Sequence, residues 1–222
     1  MYQTRRSWSP RKFYGASLLA LIPFLLIFYA VIFHQEALTT LDYHLASVFY
    51  NTRTEAITPI VRAVTLIGNP FSQLALATIS ALALLLFSRS NYAKLLIYVM
   101  FMGALCLNTT VKFVVKRQRP DVWLHLIKQG GYSFPSGHAM GMTILFGTLI
   151  FISWRLIRSH SVRVTLAILF TLIVILVALS RIYLGVHFVS DIIGGASLGA
   201  SFIFAVFGFF TKIEPHRLSY SF

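Results

Sequence analysis

Long apolar runs separated by short polar segments dominate this sequence. A helix needs about 20 mostly apolar residues to cross a hydrocarbon core of about 30 Å. Six runs reach that length or come close to it, at about 14–33, 64–87, 95–111, 138–157, 164–180 and 189–210. The pattern therefore predicts an all-α integral membrane protein with six transmembrane helices.

The segment between the first two runs predicts a shorter, amphipathic helix. Apolar residues recur there at helical spacing with polar residues between them: Leu38, Leu41, Leu45, Val48 and Phe49 against Asp42, His44 and Ser47. Such a helix fits the outer membrane interface. A loop helix packed on the bundle fits the same pattern equally well.

The ends of the chain fit one membrane-anchored unit. A basic segment (Arg5, Arg6, Arg11, Lys12) precedes the first run, as in a signal peptide. The run is longer than the usual apolar core of a signal peptide, about 7–15 residues, so we expect a retained anchor.

No internal repeat is evident in the sequence. Residues 1–222 are expected to form a single domain, with tails at 1–13 and 211–222.

Composition supports the membrane interpretation and narrows the partners. Of the 222 residues, 57% are hydrophobic and 11% are charged, whereas about a quarter of a soluble domain is charged. A net charge of +13 would favour nucleic acid in a soluble protein. Here the cations stand in short runs, without a basic arm or nucleic-acid motif. We expect membrane lipids as partners and no nucleic acid; the oligomeric state is not predicted.

The distribution of Lys and Arg predicts the orientation, because cytoplasmic loops carry an excess of both. With six spans, eleven of these residues fall on the side of the termini and eight on the other side. Three of the eight (Lys112, Arg119 and Arg181) belong to polar clusters with a chemistry of their own. We therefore expect both tails in the cytoplasm and the polar clusters at the outer face.

One polar cluster contains His187 and Asp191, which are four residues apart and would share a helix face. Asp191 can then accept a hydrogen bond from one ring nitrogen of His187, leaving the other nitrogen as a nucleophile or base. Arg181 adds a cation, and Gly185 permits a sharp turn between the two runs. A polar pair that only closes a helix turn is the alternative, but the neighbouring clusters favour chemistry.

A second cluster, Pro135-Ser136-Gly137-His138, opens the fourth run. Pro fits the first turn of a helix, where exposed N–H groups bind anions. Ser136 adds a hydroxyl donor, and Gly137 allows the backbone to approach an oxyanion closely. An ordinary helix cap would explain Pro135 and Ser136, but not a histidine at the membrane edge.

A third cluster is basic and follows the third run. Cations that leave a membrane span often only reach back to the interface, and this is our interpretation of Lys116, Arg117 and Lys128. Lys112 and Arg119 are candidate phosphate ligands because of the clusters that accompany them.

Together the clusters resemble the signature of the type 2 phosphatidic acid phosphatase superfamily, K-x6-RP, PSGH and SR-x5-H-x3-D. The matching residues are Lys112, Arg119 and Pro120; Pro135, Ser136, Gly137 and His138; and Ser180, Arg181, His187 and Asp191. Within it, the chain is similar to short bacterial lipid phosphatases of the phosphatidylglycerophosphatase B and undecaprenyl-diphosphatase kind. The resemblance therefore implies a multi-pass protein of the bacterial cell membrane.

The resemblance also implies a mechanism through a phosphohistidine. His187 would attack phosphorus, Asp191 would orient His187, and His138 would protonate the leaving oxygen and then activate water. The phosphate would be held by Lys112, Arg119, Arg181, Ser136 and the Gly137 N–H. The substrate would be a lipid phosphate, undecaprenyl diphosphate and/or phosphatidylglycerophosphate.

No cofactor and no metal are expected, because only one of the six acidic residues, Asp191, lies in the clusters. Two-metal phosphatases need several carboxylates. Two rival functions remain: a lipid phosphotransferase with the same site, and a non-catalytic head-group binder. The second would leave the His187–Asp191 pair and His138 without a role.

Overall fold

The computed structural model describes residues 9–88 and 91–213, and these residues form helices and loops without a β-strand. The helices are α1 (Pro10–Phe33), α2 (Gln35–Tyr50), α3 (Ile57–Ile67), α4 (Pro70–Ser88), α5 (Tyr92–Val99), α6 (Asn108–Val115), α7 (Gly137–Leu156), α8 (His160–Tyr183) and α9 (Val189–Ile213). A π-helical segment, Met100–Leu107, joins α5 to α6, and a 3-10 turn covers Val122–Leu124. The predicted all-α class is confirmed.

Five helical stretches are long and apolar enough to cross a membrane: α1, the continuous stretch Tyr92–Val115, α7, α8 and α9. The bent pair α3 and α4 makes a sixth if it counts as one span. Five of the predicted runs end within four residues of the observed helix ends. The count of six stays a prediction, and the tail residues 1–8 and 214–222, with Arg89, lie outside the described residues.

The predicted second span, 64–87, is not one straight helix. The chain bends by 52° between α3 and α4. Pro70 begins α4, where its fixed φ and missing N–H are tolerated. Asn69 caps this new helix, since its Oδ1 accepts a hydrogen bond from the Ser72 N–H at 2.7 Å. The Gln73 side-chain amide donates to the freed Gly68 carbonyl at 2.7 Å.

The predicted amphipathic helix is present as α2, and it packs on α8 and α9. Its buried residues are Asp42 and Ala46, whereas Leu41, Leu45 and Val48 are exposed. The helix thus turns a small and acidic face inward and an apolar face outward. That arrangement suits a surrounding lipid phase, and its place in the membrane interface stays a prediction.

Glycines on α9 bring this helix against the start of α7. A Cβ at Gly195 would lie 2.7 Å from the Ser136 carbonyl oxygen, and one at Gly199 would lie 3.0 Å from the Met140 carbonyl oxygen. Only glycine allows so close an approach. The two glycines therefore allow close packing of the two helices, which places the first turn of α9 beside the first turn of α7.

Candidate active site

The three polar clusters meet where α6 ends, α8 ends, and α7 and α9 begin. His187 lies in the loop between α8 and α9, and Asp191 lies in the first turn of α9. The ring Nδ1 of His187 is 3.2 Å from Asp191 Oδ2. The pairing was predicted correctly, but its geometry was not, because His187 precedes the helix and does not share its face.

Asp191 is fully buried, and four groups donate hydrogen bonds to it. Its Oδ2 accepts from His187 Nδ1, from the Ser133 hydroxyl and, at 2.9 Å, from the Phe188 N–H. The Phe188 contact is the reach-back bond by which an acidic residue satisfies a free N–H at a helix start. Its Oδ1 accepts from Arg117 Nη1 at 2.9 Å. This carboxylate is therefore held rigidly against His187.

Arg119 determines which ring nitrogen of His187 carries the proton. Its Nη1 lies 3.1 Å from His187 Nε2 and also donates to the Val186 carbonyl at 2.6 Å. A guanidinium group can only donate, so Nε2 accepts and the hydrogen resides on Nδ1, facing Asp191. The lone pair on Nε2 then points away from Asp191 and toward Arg119, one of the predicted phosphate-binding residues.

Burial and neighbouring cations keep His187 neutral, whereas Arg119 keeps its positive charge despite its burial. Burial lowers the pKa of His187 well below its usual range, and the cations Arg119, Lys112 and Arg181 lower it further. Burial also lowers the pKa of Arg119, to about 10, with Asp191 opposing that shift. At neutral pH the site therefore contains an uncharged imidazole beside a fixed positive charge.

The three predicted phosphate-binding cations all donate to oxygens of one loop, residues 129–133. Lys112 Nζ donates to the carbonyl groups of residues 132 and 133, at 2.6 and 3.3 Å. Arg119 donates to the carbonyl groups of residues 130, 131 and 132, at 2.9–3.2 Å. Arg181 Nη2 donates to the side-chain oxygen of Gln129 at 2.5 Å. The three cations thus converge on a single cluster of oxygens.

The start of α7 lies against this cluster. Ser136 is the N-cap of α7, and its Oγ accepts a hydrogen bond from the Ala139 N–H at 3.4 Å. The capping alternative is thus confirmed for Ser136, whereas its contact with phosphate stays a prediction. Asn108 supports the same turn, donating to the Pro135 carbonyl at 3.5 Å, and a Cβ at Gly137 would lie 3.3 Å from Asn108 Oδ1.

The bend between α3 and α4 also borders the site, a role that the sequence analysis missed. The Thr65 hydroxyl accepts a hydrogen bond from Arg181 Nη1 at 2.7 Å. The His138 ring packs on Gly68, where an added Cβ would lie 2.8 Å from His138 Cδ2. The Gly-Asn-Pro sequence at 68–70 was the available signal for the bend, but nothing in the sequence marks Thr65.

The interfacial interpretation of Arg117 was wrong. Its side chain is buried, at 2% exposure, and it bridges two carboxylates: Nη2 lies 2.8 Å from Asp42 Oδ2, and Nη1 lies 2.9 Å from Asp191 Oδ1. The cause is local, since Lys116 adopts a left-handed conformation with φ 52° that ends α6 and turns the next residue inward. Lys116 and Lys128 are exposed.

Within residues 9–88 and 91–213, no group of three or more His, Cys, Asp or Glu side chains is placed to hold a metal ion. Cationic side chains occupy the region around His187 instead.

Comparisons with known proteins agree with this architecture. Residues 91–215 match the PAP2 superfamily. Phosphatidylglycerophosphatase B of Bacillus subtilis is 32% identical over 201 residues, which cover 89% of this chain and 97% of that protein. An undecaprenyl-diphosphatase of Sulfolobus acidocaldarius is 31% identical over 122 residues, or 53% of this chain and 55% of that protein.

Solved structures match over most of the fold. The crystal structure of a transmembrane PAP2 type phosphatidylglycerolphosphate phosphatase from Bacillus subtilis aligns with a TM-score of 0.83 at 28% identity, covering 91% of this chain and 99% of that one. Aquifex aeolicus LpxE aligns with a TM-score of 0.60 at 23% identity, covering 76% of this chain and 94% of that one, and supports the fold alone. By the family match and by its similarity to a relative along nearly its whole length, this chain belongs to the PAP2 superfamily.

Proposed function

We propose that the protein is a lipid phosphate phosphatase that works through a phosphohistidine at His187. One observation carries the proposal: both ring nitrogens of His187 have a fixed partner, Asp191 Oδ2 at 3.2 Å and Arg119 Nη1 at 3.1 Å. The first partner stabilises a positive charge on the ring, and the second lies where a phosphate would be bound. The two contacts together suit nucleophilic attack on phosphorus.

The reaction proceeds in two displacements. First, His187 Nε2 attacks phosphorus, so that a P–N bond forms while the bond to the lipid oxygen breaks, and His138 protonates that oxygen. Asp191 stabilises the positive charge that develops on the ring. Then His138 takes a proton from water, the water oxygen attacks phosphorus, and the P–N bond breaks. Inorganic phosphate leaves, and both histidines return to their starting state.

The cations supply most of the catalytic stabilisation. Phosphoryl transfer depends on positioning and on charge stabilisation at the phosphate oxygens. Lys112, Arg119 and Arg181 already converge on oxygens of residues 129–133, so bound phosphate oxygens would replace those acceptors one for one. Ser136 and the Gly137 N–H would add donors at the start of α7. Losing one such donor typically costs about 10²–10³ in rate.

The substrate is a membrane lipid, and no cofactor is needed. The apolar helices keep the chain in the membrane, and the relatives' names point to undecaprenyl diphosphate and/or phosphatidylglycerophosphate. The chain would act as one domain in the bacterial inner membrane. With both tails cytoplasmic, as the Lys and Arg distribution predicts, the site would face outward.

Phosphate release from the detergent-purified protein tests the proposal. We expect release from both lipids in EDTA, and a loss of about 10⁴-fold or more for His187→Ala, because removing a nucleophile abolishes the covalent path. An acid-labile phosphoryl group should be trapped on the wild-type protein and be absent from the variant. Activity that returns only with Mg²⁺, or a fully active His187→Ala, would refute the mechanism. Transfer of phosphate to a second lipid in place of water would indicate the transferase.

A further inference from the structure

A buried charge network extends from Asp191, the carboxylate paired with His187, to α2. Arg117 donates to Asp191 Oδ1 at 2.9 Å and to Asp42 Oδ2 at 2.8 Å, and it also donates to the Ser190 hydroxyl at 2.7 Å. Ser190 in turn donates to Asp42 through its hydroxyl at 2.5 Å and through its N–H at 2.8 Å. Asp42, Arg117 and Asp191 are each at most 2% exposed.

The guanidinium group is held on three sides. Its two terminal nitrogens contact the two carboxylates, and its plane lies over the Phe188 ring, with Cζ 4.2 Å from the ring centre. Phe188 follows His187 in the chain and donates its N–H to Asp191. Any shift of Arg117 is thus transmitted to both members of the His187–Asp191 pair.

Stability alone is a poor explanation for this network. Burying a carboxylate–guanidinium–carboxylate triad is costly, and well-packed apolar residues are often as stable or more stable in its place. The chain has apolar side chains available on α2, but Leu41 and Leu45 are exposed while Asp42 is inside. A group of this kind, placed next to a nucleophile, suits an electrostatic role.

The charges define that role. Arg117 alone beside Asp191 would cancel the negative charge that stabilises a positive His187. Asp42 neutralises Arg117, so two carboxylates and one guanidinium leave one net negative charge behind the ring. Removal of Asp42 would leave the Asp191 side of His187 neutral.

We infer that Asp42 is a positioning residue for the phosphatase reaction: through Arg117 it fixes Asp191 and preserves the negative charge that stabilises the positively charged His187. The inference rests on the proposed function. Asp42 does not touch the reacting atoms and acts only through Arg117.

Other charged and titratable groups also influence His187 or residues near the network, and none of them is substituted in the variants compared below. They are Lys112 of α6, Arg119 in the following loop, His138 of α7, Arg181 of α8, Tyr43 and Tyr50 of α2, and Asp121.

The test is a comparison of pH profiles for Asp42→Asn and the wild type. The acid limb of kcat/KM reports the pKa of the free enzyme's essential base, here His187. Loss of a nearby negative charge disfavours the protonated ring, so the acid limb should move to lower pH, by on the order of one unit. We also expect kcat to fall about tenfold or more with KM little changed, a loss comparable to that for outer partners of functional histidines.

Two further variants serve as controls for this result. Glu36→Gln makes the same chemical change at an exposed position of the same helix and should leave the profile unchanged. Asp42→Glu keeps the charge and should restore the acid limb, with kcat between those of Asp42→Asn and the wild type. A purely structural role would lower activity equally at every pH, so an unmoved limb in folded Asp42→Asn overturns the inference.

If Asp42→Asn does not elute as a folded protein, Ser190→Ala decides instead. That variant removes only the hydroxyl between Asp42 and Arg117 and keeps the charge of Asp42, so kcat should fall at least about threefold with KM and the acid limb little changed. Wild-type kcat for Ser190→Ala, or a loss that appears in KM alone, overturns the inference. An inactive wild type, or an active His187→Ala, would instead overturn the proposed function, so the two failures are distinguishable.

Discussion

Gly68 at the bend between α3 and α4 offers a direct test of how the site positions its second histidine. An alanine there would place a Cβ 2.3 Å from Val177 Cγ1, 2.8 Å from His138 Cδ2 and 3.4 Å from His138 Cγ, where ordinary contacts begin at 3.4 Å. The His138 ring must therefore move by about 0.6 Å and the Val177 side chain by about 1.1 Å, or the backbone of the bend must yield. Either change shifts His138, the proposed general acid, relative to the substrate phosphate.

The magnitude follows from that displacement. A misplacement of about 1 Å in a catalytic group can cost about 10²-fold in rate, so a shift of this size should lower kcat on the order of tenfold. Complete loss of His138 should cost about 10²–10⁴-fold, the usual contribution of a general acid. Gly68→Ala is thus expected to lie between the wild type and His138→Ala.

The assay is steady-state phosphate release from a lipid phosphate, with Gly15→Ala as the matched control. A Cβ at Gly15 meets no atom within 4 Å, so that variant should retain wild-type kcat. A double-mutant cycle sharpens the test, because Gly68→Ala should cost little further rate once His138→Ala has removed the ring. Equal, additive losses in both backgrounds, or wild-type kcat in folded Gly68→Ala, would refute the argument.

Three further predictions concern the pH profile, the cationic side chain of Arg181 and the end of α6. Because burial holds the pKa of His187 well below its usual range, the ring stays neutral at neutral pH and charges only in more acidic solution. The plateau of kcat/KM should therefore extend below about pH 6.5, and an acid limb centred at or above that pH would contradict a buried, neutral nucleophile. Thr65→Val removes the hydroxyl that accepts a hydrogen bond from Arg181 and leaves the buried Arg181 N–H unpaired, at a cost of about 1–3 kcal/mol. We expect kcat/KM to fall about tenfold, and an unchanged kcat/KM would show that Thr65 does not hold Arg181 in place. Lys116→Gly removes the backbone strain of a left-handed lysine at φ 52° and should raise the midpoint of thermal unfolding in detergent by about 2–4 °C. A lower midpoint would show that the lysine side chain stabilises the turn.

The sequence was sufficient for the features that depend on local patterns. Apolar runs predicted the all-α class and most helix ends, since a membrane-crossing helix needs a long apolar stretch whatever its neighbours are. The spacing of His187 and Asp191 predicted their contact because four residues bring two side chains close across one helical turn or a cap.

Contacts between distant segments were out of reach of the same reasoning. Arg117 and Asp42 are 75 positions apart, and Arg181 and Thr65 are 116 apart. A basic residue at the end of a span is usually interfacial, so the general rule gave the wrong place for Arg117. The rule failed because one residue, Lys116, adopts a left-handed backbone conformation that directs the next side chain inward.

The small number of acidic residues limits the possible partners of Arg117. An unpaired charge inside an apolar bundle is very costly, so a buried arginine must find a carboxylate. Only six acidic residues are available in the whole chain. Among them Asp42 stands four residues before Ala46 on a helix whose Leu41, Leu45 and Val48 are exposed. A small residue and an acid on one face suggest a face turned toward protein. In a membrane protein so poor in acids, each carboxylate on such a face is a candidate partner for a basic residue of the active site, and the link from α2 to Asp191 is the instance found here.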